Sequence, residues 1–211
     1  PVLLARGDEG FLASLWLERL PEGFGQFFQA PDARFDPLRR DLREAVEAAY
    51  RFVNRETPIP AGEDVRWWLA GIPANRSGGA APVSGASLQA AAAVGLLFLL
   101  REEPYNPSCA ISATLLDDGR LGAVFGLTGA APKLRAALRL RTASGQATVV
   151  VSRENQLPET GAVEWEARGV RVVPAGTFQD AVEQIRSASA PPAAPARASS
   201  PGNVPADAGP A

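Results

Sequence analysis

Lys133, in the stretch GAAPKLRAAL over residues 129–138, is the only lysine of a 211-residue chain whose other basic residues are all arginine. A guanidinium stays charged, whereas burial can lower a lysine's pKa until the amine becomes a neutral base. The chemistry that singles out an ammonium group is therefore proton transfer. The usual client of such a base is a serine hydroxyl, which it turns into a nucleophile. Ser87 is the serine placed for it, where the loop SGAS over 84–87 runs into an apolar helix. Backbone N–H groups at a helix start suit a developing oxyanion, so Gly85, Ala86 and Leu88 are the expected neighbours of that charge. The plainer alternatives are a helix N-cap for Ser87 and a surface lysine in a first helical turn for Lys133.

Composition removes competing chemistries. The chain has no histidine, which excludes Ser-His-Asp and Cys-His catalysis and imidazole metal sites within it. Cys109 is the only cysteine, so no internal disulfide forms, and the expected compartment is reducing and cytoplasmic. The loop segment SGGAAPVSG lacks the Gly-x4-Gly-Lys-Ser/Thr pattern of a phosphate cradle. A Ser-x-x-Lys helix would need serine at 130, which is Ala130. No cofactor or metal is expected. The net charge of −2 with scattered basic residues implies neither nucleic acid nor an acidic membrane surface, and a small or peptidic partner fits as well. The most apolar run, residues 88–100, falls short of the ~20 residues that cross a bilayer, and reads as a core helix. The N-terminus shows no signal peptide, and the missing initiator Met suggests a piece of something longer.

The elements that must position Ser87 and Lys133 follow from periodicity and punctuation. FLASLWLERL (11–20) alternates as a first strand, and GFGQFFQA (23–30) reads as a second that pairs with it. Residues 36–53 read as a helix capped by Asp36 with Pro37 in its first turn, and Leu38, Leu42, Ala45, Val46, Ala49 and Val53 fall on one face. A strand at 64–72, the glycine-rich loop 75–87 and the apolar helix follow. SCAISATLL (108–116) is expected as one strand, with an Asp-Gly turn at 117–120 leading into LGAVFGL. Beyond the Lys133 helix come strands at 147–152 and 170–176 and a helix at 177–188 with Thr177 as its cap. From 187 the composition collapses to Ala, Pro, Ser and Gly, the mark of a linker or tail. The mixture implies an α+β domain around one sheet.

The succession SGAS plus apolar helix, AISATL, DGRLGAVFGL, PKLRAAL, VVVSREN and GVRVVPAGTFQDAVEQI resembles the proteolytic domain of the Lon peptidases. The resemblance covers 64–186, within a domain taken as 1–186, followed by the tail 187–211. It implies a Lon-like mixed α+β fold and a Ser-Lys dyad in which serine attacks the peptide carbonyl and lysine accepts its proton. Motif by motif, it places the nucleophile at Ser87, the base at Lys133 in KLRAA, and at Ser112 the hydroxyl that orients the amine. Asn155 matches a family Asn to which no catalytic role is assigned. It also implies a homo-oligomer, and further domains in the parent chain. The sequence departs from the family at several places: Asp and Pro before the nucleophile are absent, Leu88-Gln89 replaces Ala-Gly, Ser112-Ala113-Thr114 replaces Thr-Gly-Glu, Phe125-Gly126 replaces a glycine pair, and about three extra residues precede Lys133. These departures leave open a non-catalytic scaffold of the same fold. A peptide-binding module that uses exposed edge strands is a further alternative.

Overall fold

In the computed structural model, which describes residues 1–6, 9–30, 40–72, 85–124, 130–140, 146–155 and 159–189, the elements are built as follows. The antiparallel pair β1 (Val2–Arg6) and β2 (Glu9–Pro21) opens the chain. β3 (Phe27–Gln29) and helix α1 (Arg40–Asn54) come next, then β4 (Glu63–Ala70). A 3-10 turn, Ala86–Leu88, leads directly into α2 (Gln89–Leu100). β5 (Cys109–Ser112), β6 (Thr114–Leu115) and β7 (Leu121–Gly122) precede α3 (Ala130–Ala137), and β8 (Ala147–Ser152), α4 (Glu159–Ala167), β9 (Val170–Ala175) and α5 (Phe178–Ser189) complete the order. The α+β class stands, but the strands form three sheets rather than one: β1-β2-β4-β3, the parallel β5-β8-β9, and the β6-β7 hairpin.

α2 is apolar around its whole circumference because it is the central element. Its residues Ala90 to Val94 and Leu96 to Phe98 are all buried. The expected stripe of α1, Leu42, Ala45, Val46, Ala49 and Val53, is buried in the same cluster, while Asp36, Pro37 and Leu38 lie outside the described residues. Among the described residues no helix is long and apolar enough to cross a membrane.

Several expectations are corrected. β1 was not anticipated. β3 does not pair with the strand before it, but runs parallel to β4. The edge of β2 on that side is taken by β4 over eight residue pairs, from Ser14↔Ala70 to Pro21↔Glu63. The Asp64 carboxylate accepts the N–H groups of Phe24 and Gln26 and turns the chain onto the far side of β4. The strand expected at 108–116 is broken at Ala113, whose carbonyl accepts the N–H of Ala90 and ties the chain to the start of α2. α4 was unread, and α5 continues through 187 to Ser189, so the helix enters the expected tail. The remainder, 190–211, lies outside the described residues.

The Asp-Gly turn is present: Gly119 N–H donates to Leu116 C=O at 2.9 Å, and Leu116 N–H to Arg120 C=O at 2.9 Å. Thr177 caps α5 through a reciprocal arrangement. Asp180 N–H donates to Thr177 Oγ1, while the Asp180 carboxylate accepts from Thr177 N–H.

The β5-β8-β9 sheet matters most for the site. Alternate residues of a strand face opposite sides. Cys109, Ile111 and Val150 pack into the cluster built on α1, α2 and α5. Ala110, Val149 and Val151 face the other way, into a second cluster with Ala130, Leu134 and Ala137 of α3. The sheet thus has helices on both faces, and α3 covers the face to which Ala110 points.

Candidate active site

Both rules of periodicity converge on one spot. In β5, Ser112 is two residues beyond Ala110 and so lies on the α3 face. In α3, the sheet-facing stripe of Ala130, Leu134 and Ala137 includes position 133 as the i+3 neighbour of Ala130. Lys133 Nζ donates to Ser112 Oγ at 3.0 Å, with Lys133 6 % exposed and Ser112 wholly buried. The surface-lysine alternative is therefore excluded. Desolvation pulls the amine's pKa from its ordinary 10.5 down to about 8. A neutral amine that donates one N–H to Ser112 keeps its lone pair for another proton.

Ser87 lies in the middle of the 3-10 turn, 3 % exposed. The turn fits because Gly85 has no side chain: a Cβ there would collide with the Asp41 carbonyl of α1 and come within 2.8 Å of Leu42 N. The turn also packs against β1, β5 and β6, which brings it to the strand that carries Ser112. The cap alternative for Ser87 fails as well. α2 has Leu88 at its N-cap with no side-chain cap bond, and Ser87 Oγ is a buried oxygen without a hydrogen-bond partner among the described residues. A buried hydroxyl left unsatisfied costs about 1–3 kcal/mol, so its retention calls for an explanation other than stability.

The structure thus joins Lys133 to Ser112 and seats Ser87 in the turn packed against β5. No hydrogen bond links Ser87 to Lys133. Of the expected oxyanion neighbours, Leu88 has its N–H committed to Gly85 C=O at 2.9 Å, closing the turn. Ala86 is exposed and borders a cleft of about 430 Å³ between α1 and β6, lined also by Phe52, Gln89, Thr114 and Leu115. Residues 75–84 and 125–129, which include the glycine-rich loop and the Phe125-Gly126 pair, lie outside the described residues.

Sequence reasoning named Asn155 without a role and passed over Ser152, the two side chains that hold the approach to α3. Asn155, after β8, accepts Val124 N–H on its Oδ1 at 3.0 Å. Ser152 Oγ donates to Leu121 C=O at 2.6 Å. Together they anchor β7 and its exit, the last described part of the chain before α3. The SREN signal was visible, but only the fold shows what it grips.

If the Ser112 bond orients the amine, Ser112→Ala should leave KM nearly unchanged and lower kcat about ten- to hundredfold, since misplacing a catalytic group by ~1 Å can cost a hundredfold. Steady-state kinetics on a peptide substrate measures this. Among the described residues no group of three or more His, Cys, Asp or Glu side chains could hold a metal ion. Compared with models of protein families and with curated proteins, the chain matches none.

Proposed function

We propose that the chain is a serine peptidase domain of the Lon type that hydrolyses peptide bonds with Ser87 as nucleophile, Lys133 as general base and Ser112 as the group that orients the amine. The observation that carries the reading is the burial of the chain's only lysine against a serine hydroxyl, with a pKa lowered to about 8. In acylation, Ser87 Oγ attacks the carbonyl carbon, its proton passes to Lys133 Nζ, and the ammonium returns it to the departing amine nitrogen. In deacylation, a water gives its proton to the same amine, attacks the ester, and the proton returns to Ser87 Oγ. The substrate is a protein or peptide, and no cofactor is required by this chemistry. The same reading takes the domain to act in the cytoplasm, as a homo-oligomer within a longer protein whose other domains are joined through the Ala/Pro/Ser-rich segment.

The test is cleavage of an unstructured protein by the parent protein, with new chain ends identified by mass spectrometry. Ser87→Ala and Lys133→Arg should each abolish it. Cleavage by both variants at the parental rate overturns the proposal.

A second reading, a non-catalytic Lon-like scaffold, is favoured by one observation: Ser87 Oγ makes no hydrogen bond to Lys133. On this reading no oligomer of the protein cleaves the substrate or acylates at Ser87.

A further inference from the structure

Gly10, the second residue of β2, pairs with Ala5 of β1 and sits against the first turn of α3. A Cβ at this position would overlap the Pro132 carbonyl and come within 3.0 Å of Lys133 N. Both obstacles are backbone atoms, so no rotamer change relieves the overlap; the helical turn itself has to move. That turn carries Lys133, whose Nζ lies 3.0 Å from Ser112 Oγ. Flanking contacts give the turn little freedom to tilt. Leu12 of β2 packs on the same cluster as Leu134 and Ala137, and close-packed interiors transmit a displacement rather than absorb it.

We propose that Gly10 is a positioning residue for Lys133: its missing side chain lets β2 close onto the Pro132–Lys133 backbone, and this contact sets the depth at which the amine meets Ser112. The inference rests on the reading of Lys133 as the base. It adds a residue more than a hundred positions away that decides whether the base is usable. Burial lowers the amine's pKa, so a displacement of the turn that opens the amine to water lets it recover the charged form.

The chain's single lysine makes the test direct. With 15N-lysine labelling, the Lys133 side-chain nitrogen gives one resonance, and its titration can be followed in the folded parent protein. Gly10→Ala is expected to raise the titration midpoint by about one pH unit or more. It should lower kcat for peptide cleavage about a hundredfold with KM little changed. Gly85→Ala, which crowds the Ser87 turn against α1 instead, should leave the lysine titration in place. A folded Gly10→Ala protein with parental titration and parental kcat overturns the inference.

If Gly10→Ala does not fold, Leu12→Ala decides. It removes side-chain packing between β2 and α3 and leaves the backbone contact, so an unchanged midpoint supports the inference. A midpoint raised by a unit there shows that general packing sets the depth, and overturns it. The titration is independent of catalysis. A parent protein that cleaves nothing ends the peptidase reading, while the resonance still reports whether Gly10 sets the depth of the amine.

Discussion

Lys133→Met is expected to abolish peptide cleavage and, at pH 7, to make the protein more stable than the parent. The sign follows from linkage. In the unfolded chain the amine titrates near its ordinary 10.5, and in the folded protein at about 8. Between those values the unfolded state binds more protons than the native state, so stability rises with pH from about 8 to about 10.5. Below pH 8 the penalty is constant, on the order of 3 kcal/mol at 1.36 kcal/mol per pH unit. Methionine has a similar length and no charge. The substitution also removes the donor to Ser112 Oγ and returns about 1 kcal/mol of cost. A net gain of about 1–2 kcal/mol near pH 7 follows, fading to nothing or to a small loss above pH 10.5. Chemical denaturation of both proteins across this range checks it. In the parent, kcat should rise through pH about 8 as the amine becomes neutral, because in the proposed mechanism only the neutral form accepts the Ser87 proton.

Ser87→Ala is expected to give the same combination of lost activity and gained stability. It removes the proposed nucleophile, so acylation is expected to stop. It also removes a buried oxygen that has no hydrogen-bond partner among the described residues, at the small loss of one atom's packing. A gain of about 1 kcal/mol is predicted, measured as an increased midpoint of denaturation with an unchanged slope. A group that weakens the fold is the pattern expected where function trades against stability. If Ser87→Ala instead destabilises the protein by about 1–2 kcal/mol, the hydroxyl is structural, as an N-cap or buried bridge would be.

Single residues of the candidate site were more legible in the sequence than the architecture around them. A lone lysine among arginines is a compositional signal, and a serine between a glycine-bearing loop and an apolar helix is a local one; neither needs knowledge of the fold. The contact between Lys133 and Ser112, twenty-one residues apart, was anticipated only through the resemblance to Lon peptidases. Its physical basis, the phase of β5 against the phase of α3, becomes visible once strand and helix are known to face each other.

Long periodic segments were readable: the buried stripe of α1, the apolar α2, β8 and the Thr177 cap. Partner choice was not. β3 lies near β2 in sequence but pairs with β4, because β4 occupies the adjacent edge of β2 and the Asp64 carboxylate diverts the chain. α4 has no continuous apolar stripe to announce it. Gly10 was hidden among twenty glycines, and Gly85 was singled out only as an oxyanion neighbour, not for its fit against α1. What makes them necessary is the backbone of a distant element, which no local pattern encodes.

The central claim is that Ser87 is a nucleophile activated by the Lys133 amine, and covalent labelling tests it most directly. The parent protein, in its native assembly, is treated with a serine-reactive fluorophosphonate at pH 9, and the modified peptide is identified by mass spectrometry. The account predicts one adduct, on Ser87, which forms faster as pH rises through about 8 and is absent from Lys133→Met. An unlabelled Ser87 in the parent, or equal labelling of Ser87 with and without the amine, contradicts it.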